Sequence, residues 1–190
     1  KTILGKDKFA IPGFVNTHTH AAMTLLRSYA DDMVLMDWLQ NKIWPAEANL
    51  TKEDVYWGTK LAIAEMFRSG TTCFADMYFE MEQVAMATQE SGMRADLSRG
   101  IVGVGPDVDK KSADGVDFCR NWQDAAQGLI TTRLGPHAPY TCPPDIMKRV
   151  IEIARRENFN IHMHLSETKG EVDTCLEKFG LTPIALMDSL

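Results

Sequence analysis

The sequence predicts an α/β protein built as a partial (β/α)8 TIM-type barrel, about the first five βα units. Short apolar strand-like runs alternate with helical stretches along the 190 residues, the pattern of a parallel sheet covered by helices. All five histidines, His18, His20, His137, His162 and His164, fall at the ends of those runs. Barrels of this type carry their chemistry at the C-terminal ends of the strands. Closing one takes eight strands and about 200 to 250 residues, so five units read as a barrel cut short. Its exposed edge strands and unfilled interior call for partner chains, further sequence or a rearranged sheet.

The elements follow in order. The first strand is expected over 14–17, running into Asn16-Thr17-His18-Thr19-His20. Residues 24–44 read as mostly helical and irregular, with Pro45 as a breaker. A better-marked helix runs from Thr51, an N-cap followed by Glu53 and Asp54 in the first turn, to the C-terminal stop Gly70. The second strand is 71–76, followed by a helix over 80–91 that stops before Gly92. Strand three, 94–102, ends in a Gly105-Pro106-Asp107 loop, and a helix is expected over 112–127. Strand four is 130–135, the next helix is 145–158 behind Pro143-Pro144, and strand five is 160–165. Helices near 170–178 and 183–190 finish the chain. No repeat, low-complexity tract or linker interrupts it.

Composition narrows the function classes. With 45% hydrophobic and 24% charged residues, the chain is an ordinary globular one, long enough for one sizeable core. A net charge of -6 and a pI near 5.4 provide no basic footprint for nucleic acid or anionic membrane, so a small-molecule partner is expected. No apolar run reaches the roughly 18 residues of a membrane span. The chain opens at Lys1 without a charged-then-apolar leader, so no targeting segment is visible, and without an initiator Met, as if the natural start had been removed. Cys73, Cys119, Cys142 and Cys175 are widely spaced and form no Cys-x-x-Cys. They read as the reduced thiols of a cytoplasmic protein, mostly small buried hydrophobes, with Cys142 in a loop near the expected site.

The histidine spacing carries the chemistry. Side chains at i and i+2 of a strand project from one face, so His18 and His20 direct two imidazoles into one space, a grip suited to a metal ion. The competing reading is a satisfied structural pair. The segment Ile161-His162-Met163-His164-Leu165-Ser166-Glu167 repeats the device and places Glu167 just past a strand end. Gly135-Pro136-His137-Ala138-Pro139-Tyr140 places a further histidine at a strand end stiffened by prolines. Trp38, Trp44 and Trp57, with Leu35, Leu39 and Ile43, read as core packing or as an apolar wall for a substrate substituent. Asp76 reads as orienting a neighbour or capping a loop.

Taken together, Pro12-Gly13-Phe14-Val15-Asn16-Thr17-His18-Thr19-His20, Trp44-Pro45-Ala46-Glu47, Gly135-Pro136-His137-Ala138-Pro139-Tyr140 and His162-Met163-His164-Leu165-Ser166-Glu167 resemble the metal-dependent amidohydrolase superfamily. Within it the chain is most similar to the 5-methylthioadenosine/S-adenosylhomocysteine deaminases, and the resemblance covers nearly all of it. The resemblance implies residues 1–190 as one partial metal-dependent hydrolase barrel domain that removes the adenine amino group as ammonia, with one zinc, or sometimes iron. It implies His18, His20 and His164 as metal ligands, Glu167 as the catalytic carboxylate, and Glu47, His137 and Arg99 as substrate contacts. His162 is expected to support or pack beside the ligands. Glu47 has a rival reading as a helix-end solubiliser, and Arg99 as an ion-pair partner of Asp76 or Asp96.

The chain departs from that family in lacking a strand-six histidine, a strand-eight metal-binding aspartate and the small β-sandwich, so it resembles the first half of an enzyme. A homo-oligomer or association with the missing barrel half is expected, and the 190 residues alone are expected to have little activity. Guanine, cytosine or triazine hydrolysis, and a non-catalytic metal-binding fragment, stay open as alternatives. The residue types suit the chemistry, because a divalent metal lowers the pKa of water toward ~7 and a nearby carboxylic acid can protonate the ring nitrogen where charge builds.

Overall fold

In a computed structural model, residues 2, 4–105 and 107–190 are described. Lys1 and Pro106, the centre of the expected Gly-Pro-Asp loop, lie outside the described residues. Five parallel strands form one sheet in the order β1-β2-β3-β4-β5. They are β1 (Phe14–Thr19), β2 (Thr71–Tyr78), β3 (Arg94–Ile101), β4 (Ile130–Pro136) and β5 (Asn160–Ile161). Neighbours in sequence are neighbours in the sheet, and every connection passes through a helix, as a (β/α)-barrel wall requires.

A 3-10 helix (Ala21–Leu26) follows β1 and leads to α1 (Leu35–Trp38), a π-helical turn (Leu39–Ile43) and α2 (Trp44–Glu47). Pro45 therefore does not break the helix, contrary to expectation. Proline has no N–H and its ring collides with the carbonyl four residues back in a regular α-helix, whereas here it sits in the first turn of α2, just after the wider π turn. α3 (Lys52–Ser69) has the expected caps: Thr51 and Asp54 form a reciprocal capping box, and Gly70 closes the helix at φ 83°.

Beyond β2 the helices are α4 (Met81–Ser91), α5 (Val108–Trp122), α6 (Ala125–Gly128), α7 (Pro144–Glu157), α8 (Lys169–Phe179) and α9 (Pro183–Asp188). α5 ends before the expected Gln127. The Gln123 side chain accepts hydrogen bonds from the Thr132 N–H and hydroxyl of β4, each at 2.9 Å, and Ala126 and Gln127 take left-handed conformations. β5 is shorter than expected, yet its parallel hydrogen bonding continues through His162 N–H to Leu134 O and His164 N–H to His137 O, both 2.9 Å. The two histidines thus remain strand-like anchors.

The main core lies between the sheet and its helical cover, around Phe74, Leu97, Ile130, Val55, Ile63, Met81 and Phe118. A smaller cluster joins Leu134 to Val116 of α5 and Val150 of α7. At Gly135 any Cβ would stand 2.6 Å from the Arg99 carbonyl oxygen, so the close approach of β3 and β4 beneath the site requires glycine. Cys119, Cys142 and Cys175 are buried, Cys73 is partly so, and all four are free thiols. The Cys142 thiol donates to Ile101 O at 3.1 Å. Among the described residues, no helix is long and apolar enough to cross a membrane.

Candidate functional site

Although β1 and β5 are the two outer strands of the sheet, their C-terminal ends touch. His18 Nδ1 lies 3.0 Å from His162 Nε2, and His18 Nε2 lies 3.2 Å from His164 Nε2, across 146 positions of sequence. The sheet is curled so strongly that its edges converge at the strand ends. His20, the residue after β1, brings its Nε2 to 3.2 Å from the same His164 nitrogen.

The remaining ring nitrogens are occupied. His20 Nδ1–H donates to Met77 O of β2, and His164 Nδ1–H donates to His137 O at 3.0 Å. A neutral imidazole has one N–H and one lone pair, so these bonds to carbonyls leave the lone pairs of His20 Nε2 and His164 Nε2 facing one point. Burial lowers the pKa of His18, with the neighbouring His164 adding to the effect, and burial pushes His20 down to about 4. Protons therefore do not relieve the crowding near neutral pH. A cation would: zinc–nitrogen bonds of about 2.0–2.1 Å at a tetrahedral angle put ligand nitrogens ~3.3 Å apart, close to the 3.2 Å found here. His18, His20 and His164 are a group that could hold a metal ion.

Asp76 supports this end of the sheet from outside the three-imidazole group. Its Oδ1 accepts the Ala21 N–H at 2.7 Å, tethering the turn that follows His20, and its burial pushes the carboxyl up to about 7. This is the orienting role expected for it.

A cleft beside the imidazoles is lined by Leu35, Trp38, Leu39, Trp44, Glu47, Phe79, Val102, His137, Tyr140 and Glu167, together with His20 and His164. Glu47 is partly buried at the end of α2, and burial raises its carboxyl while the neighbouring Tyr78 hydroxyl opposes the rise. His137 lies in the same wall, its Nδ1 2.8 Å from the Thr141 hydroxyl, and burial lowers it to about 4. Trp38 and Trp44 belong to the apolar wall, but Trp57 does not. It stands on the solvent side of α3, with its indole N–H 3.4 Å from Glu53.

Arg99 also lies outside the cleft. Alternation along β3 places Ser98 toward the imidazoles and Arg99 on the opposite face, where its guanidinium meets Glu82 at 3.3 Å and Asp114 at 4.0 Å. Its expected alternative partner Asp96 pairs instead with Arg133 at 2.7 Å.

Glu167 is held by two residues that sequence reading passed over. The Tyr140 hydroxyl donates to Glu167 Oε2 at 2.7 Å, and burial together with that carboxylate keeps the phenol well above its ordinary pKa, hence a donor. Glu171, 8% exposed, accepts the N–H groups of Ser166 and Glu167 at 2.9 and 2.8 Å. It thereby secures a turn in which Ser166 sits at φ 57°, an uncommon conformation for a residue with a side chain. The pattern Thr168-x-x-Glu171 was readable as a capping box. Thr168 does cap α8, but the glutamate reaches further back. Glu171→Ala is expected to lower stability by roughly 2–4 kcal/mol by stranding both donors, measurable in the denaturant midpoint; an unchanged midpoint would remove this role.

A curled parallel βα sheet with imidazole lone pairs meeting at its C-terminal end defines the class, a metal-binding (β/α)-barrel protein. The model of the amidohydrolase family matches residues 9–189, and the chain belongs to that family. It is 55% identical over 189 residues to a 5-methylthioadenosine/S-adenosylhomocysteine deaminase of Pelotomaculum thermopropionicum, covering 100% of this chain and 44% of that protein. Among solved structures it resembles an adenosine deaminase from Xanthomonas campestris with bound zinc at TM-score 0.86 and 40% identity, over 94% of this chain and 41% of that one. Atrazine chlorohydrolase TrzN from Arthrobacter aurescens, complexed with zinc, shares the fold at TM-score 0.80 and 15% identity, over 94% and 46% of the two chains. The chain thus spans less than half the length of these relatives, as a partial barrel does.

Proposed function

We propose that these residues form part of a zinc-dependent hydrolytic deaminase acting on 5-methylthioadenosine and S-adenosylhomocysteine. The observation that carries this reading is the convergence of the His18, His20 and His164 lone pairs beside a cleft that also holds Glu167 and Glu47. The names of the relatives support the substrate class, and the three-nitrogen donor set suits zinc.

When bound, the ion supplies Lewis-acid activation of water, lowering its pKa toward ~7. Glu167, fixed by Tyr140 through one carboxylate oxygen, takes a proton on the other from the attacking water and delivers it to the purine ring nitrogen. It then takes the proton of the newly added hydroxyl and passes it to the amino group, which departs as ammonia. Glu47 accepts hydrogen bonds from ribose hydroxyls, and its partial burial strengthens the contact by excluding water. His137 contacts the base from the cleft wall. The apolar surface of Leu35, Trp38 and Trp44 takes the thioether substituent. Arg99, engaged with acidic residues on the opposite face of β3, is left out of this set.

The test is ammonia release by the zinc-loaded full-length protein on a panel of methylthioadenosine, S-adenosylhomocysteine, guanine, cytosine and an aminated triazine. Turnover is expected on the two adenosine derivatives. Activity confined to guanine, cytosine or the triazine would overturn the substrate assignment.

A further inference from the structure

We propose that Ser98 and His162 are positioning residues that set the proton on His18, so that this imidazole presents its Nε2 lone pair to a metal. The inference deepens the metal reading above and rests on it. Its basis is a chain of three hydrogen bonds that can be oriented in one direction only. A serine hydroxyl has a single proton, and that of Ser98, fully buried, is donated at 3.0 Å to the Asp76 backbone carbonyl, a group that cannot donate in return. Toward His162 Nδ1, 3.2 Å away, the Ser98 oxygen therefore acts as an acceptor, which places the proton of His162 on Nδ1.

A neutral His162 then offers a lone pair at Nε2, and the atom 3.0 Å from it is His18 Nδ1. That nitrogen must carry the hydrogen. The lone pair of His18 is left on Nε2, the atom 3.2 Å from His164 Nε2. Each link thus follows from a backbone carbonyl on β2, and the proton assignment passes through β3 and β5 to β1.

This arrangement gives His18 the support that the other two ligands draw directly from carbonyls: Met77 O for His20 and His137 O for His164. Among the described residues no carbonyl bond holds the His18 ring, which is the most exposed of the three, and the Ser98–His162 pair stands in for one. Outer hydrogen bonds of this kind fix the tautomer and ring orientation of a metal-binding histidine, and their loss typically costs 10- to 100-fold in metal affinity.

The experiment measures zinc affinity by chelator competition in the full chain, for the wild type and for His162→Leu and His162→Gln. Long-range proton–nitrogen spectra of the histidine rings are recorded in parallel. His162→Leu, which cannot accept the His18 proton, is expected to bind zinc about 10- to 100-fold more weakly. His162→Gln is expected to recover most of that loss, because its amide both accepts from His18 and donates to Ser98. In the wild type the His162 ring is expected to carry its proton on Nδ1, and Ser98→Ala is expected to yield a mixture of both tautomers.

Equal zinc affinity of His162→Leu and wild type overturns the proposal, and so does a His162 proton found on Nε2. Should His162→Leu fail to fold, the wild-type tautomer decides the matter by itself. A wild type that takes up no zinc sinks the underlying metal reading, an outcome distinct from a wild type that binds zinc while the tautomer is wrong.

Discussion

Glu167→Gln in the full-length protein is expected to cut deamination by about 10²- to 10⁴-fold, the usual cost of losing a general acid, with zinc content unchanged. Glutamine preserves the shape of the side chain and an oxygen able to accept the Tyr140 hydroxyl, so the cleft should survive. What disappears is a group that can release and recover a proton beside the reacting ring. The carboxylate is not among the three imidazoles that could hold a metal ion, which is why metal and turnover should separate. Steady-state ammonia release with metal analysis on the same sample checks both halves. Turnover near the wild-type rate would eliminate Glu167 as the proton carrier, whereas simultaneous loss of zinc would recast it as a ligand.

His164→Ala is expected to have the opposite signature, with bound metal falling from about one per chain toward none. Its Nε2 is the atom within 3.2 Å of both His18 Nε2 and His20 Nε2, so deleting it leaves two nitrogens without the third that closes the cage. The loss should exceed the 10- to 100-fold expected of an outer hydrogen-bond partner, and turnover should fall with it. Metal analysis after dialysis against a weak chelator provides the measurement. Retention of one zinc per chain would show that the cation is held elsewhere.

Much of the architecture was readable residue by residue. Thr51 and Gly70 bound α3 because a side-chain acceptor and a left-handed glycine solve the unpaired groups at helix ends locally. Strand-like runs ending in histidine marked the chemistry for the same reason: period two is a property of the backbone. Local rules failed where a distant partner intervened. Pro45 was accommodated by a π turn, Gln123 left its helix to bond Thr132, and Arg99 was drawn to Glu82 and Asp114 on the far face of its strand. Glu171 and Ser98 went unnoticed because a glutamate on a helix and a serine on a strand are common, and only their partners make them specific.

From the amino-acid order alone come the parallel βα alternation, the caps that delimit the helices, and the pairing of His18 with His20 at one strand end. Each depends on interactions within a few residues, where steric and hydrogen-bond preferences suffice. The tertiary structure alone decided that the ends of β1 and β5, outermost strands of the sheet, meet. That closure arises from twist and curl accumulated over five strands packed against their helices, a sum over the whole sheet that no single segment encodes. It turns histidines 146 positions apart into neighbours that a single cation can bridge.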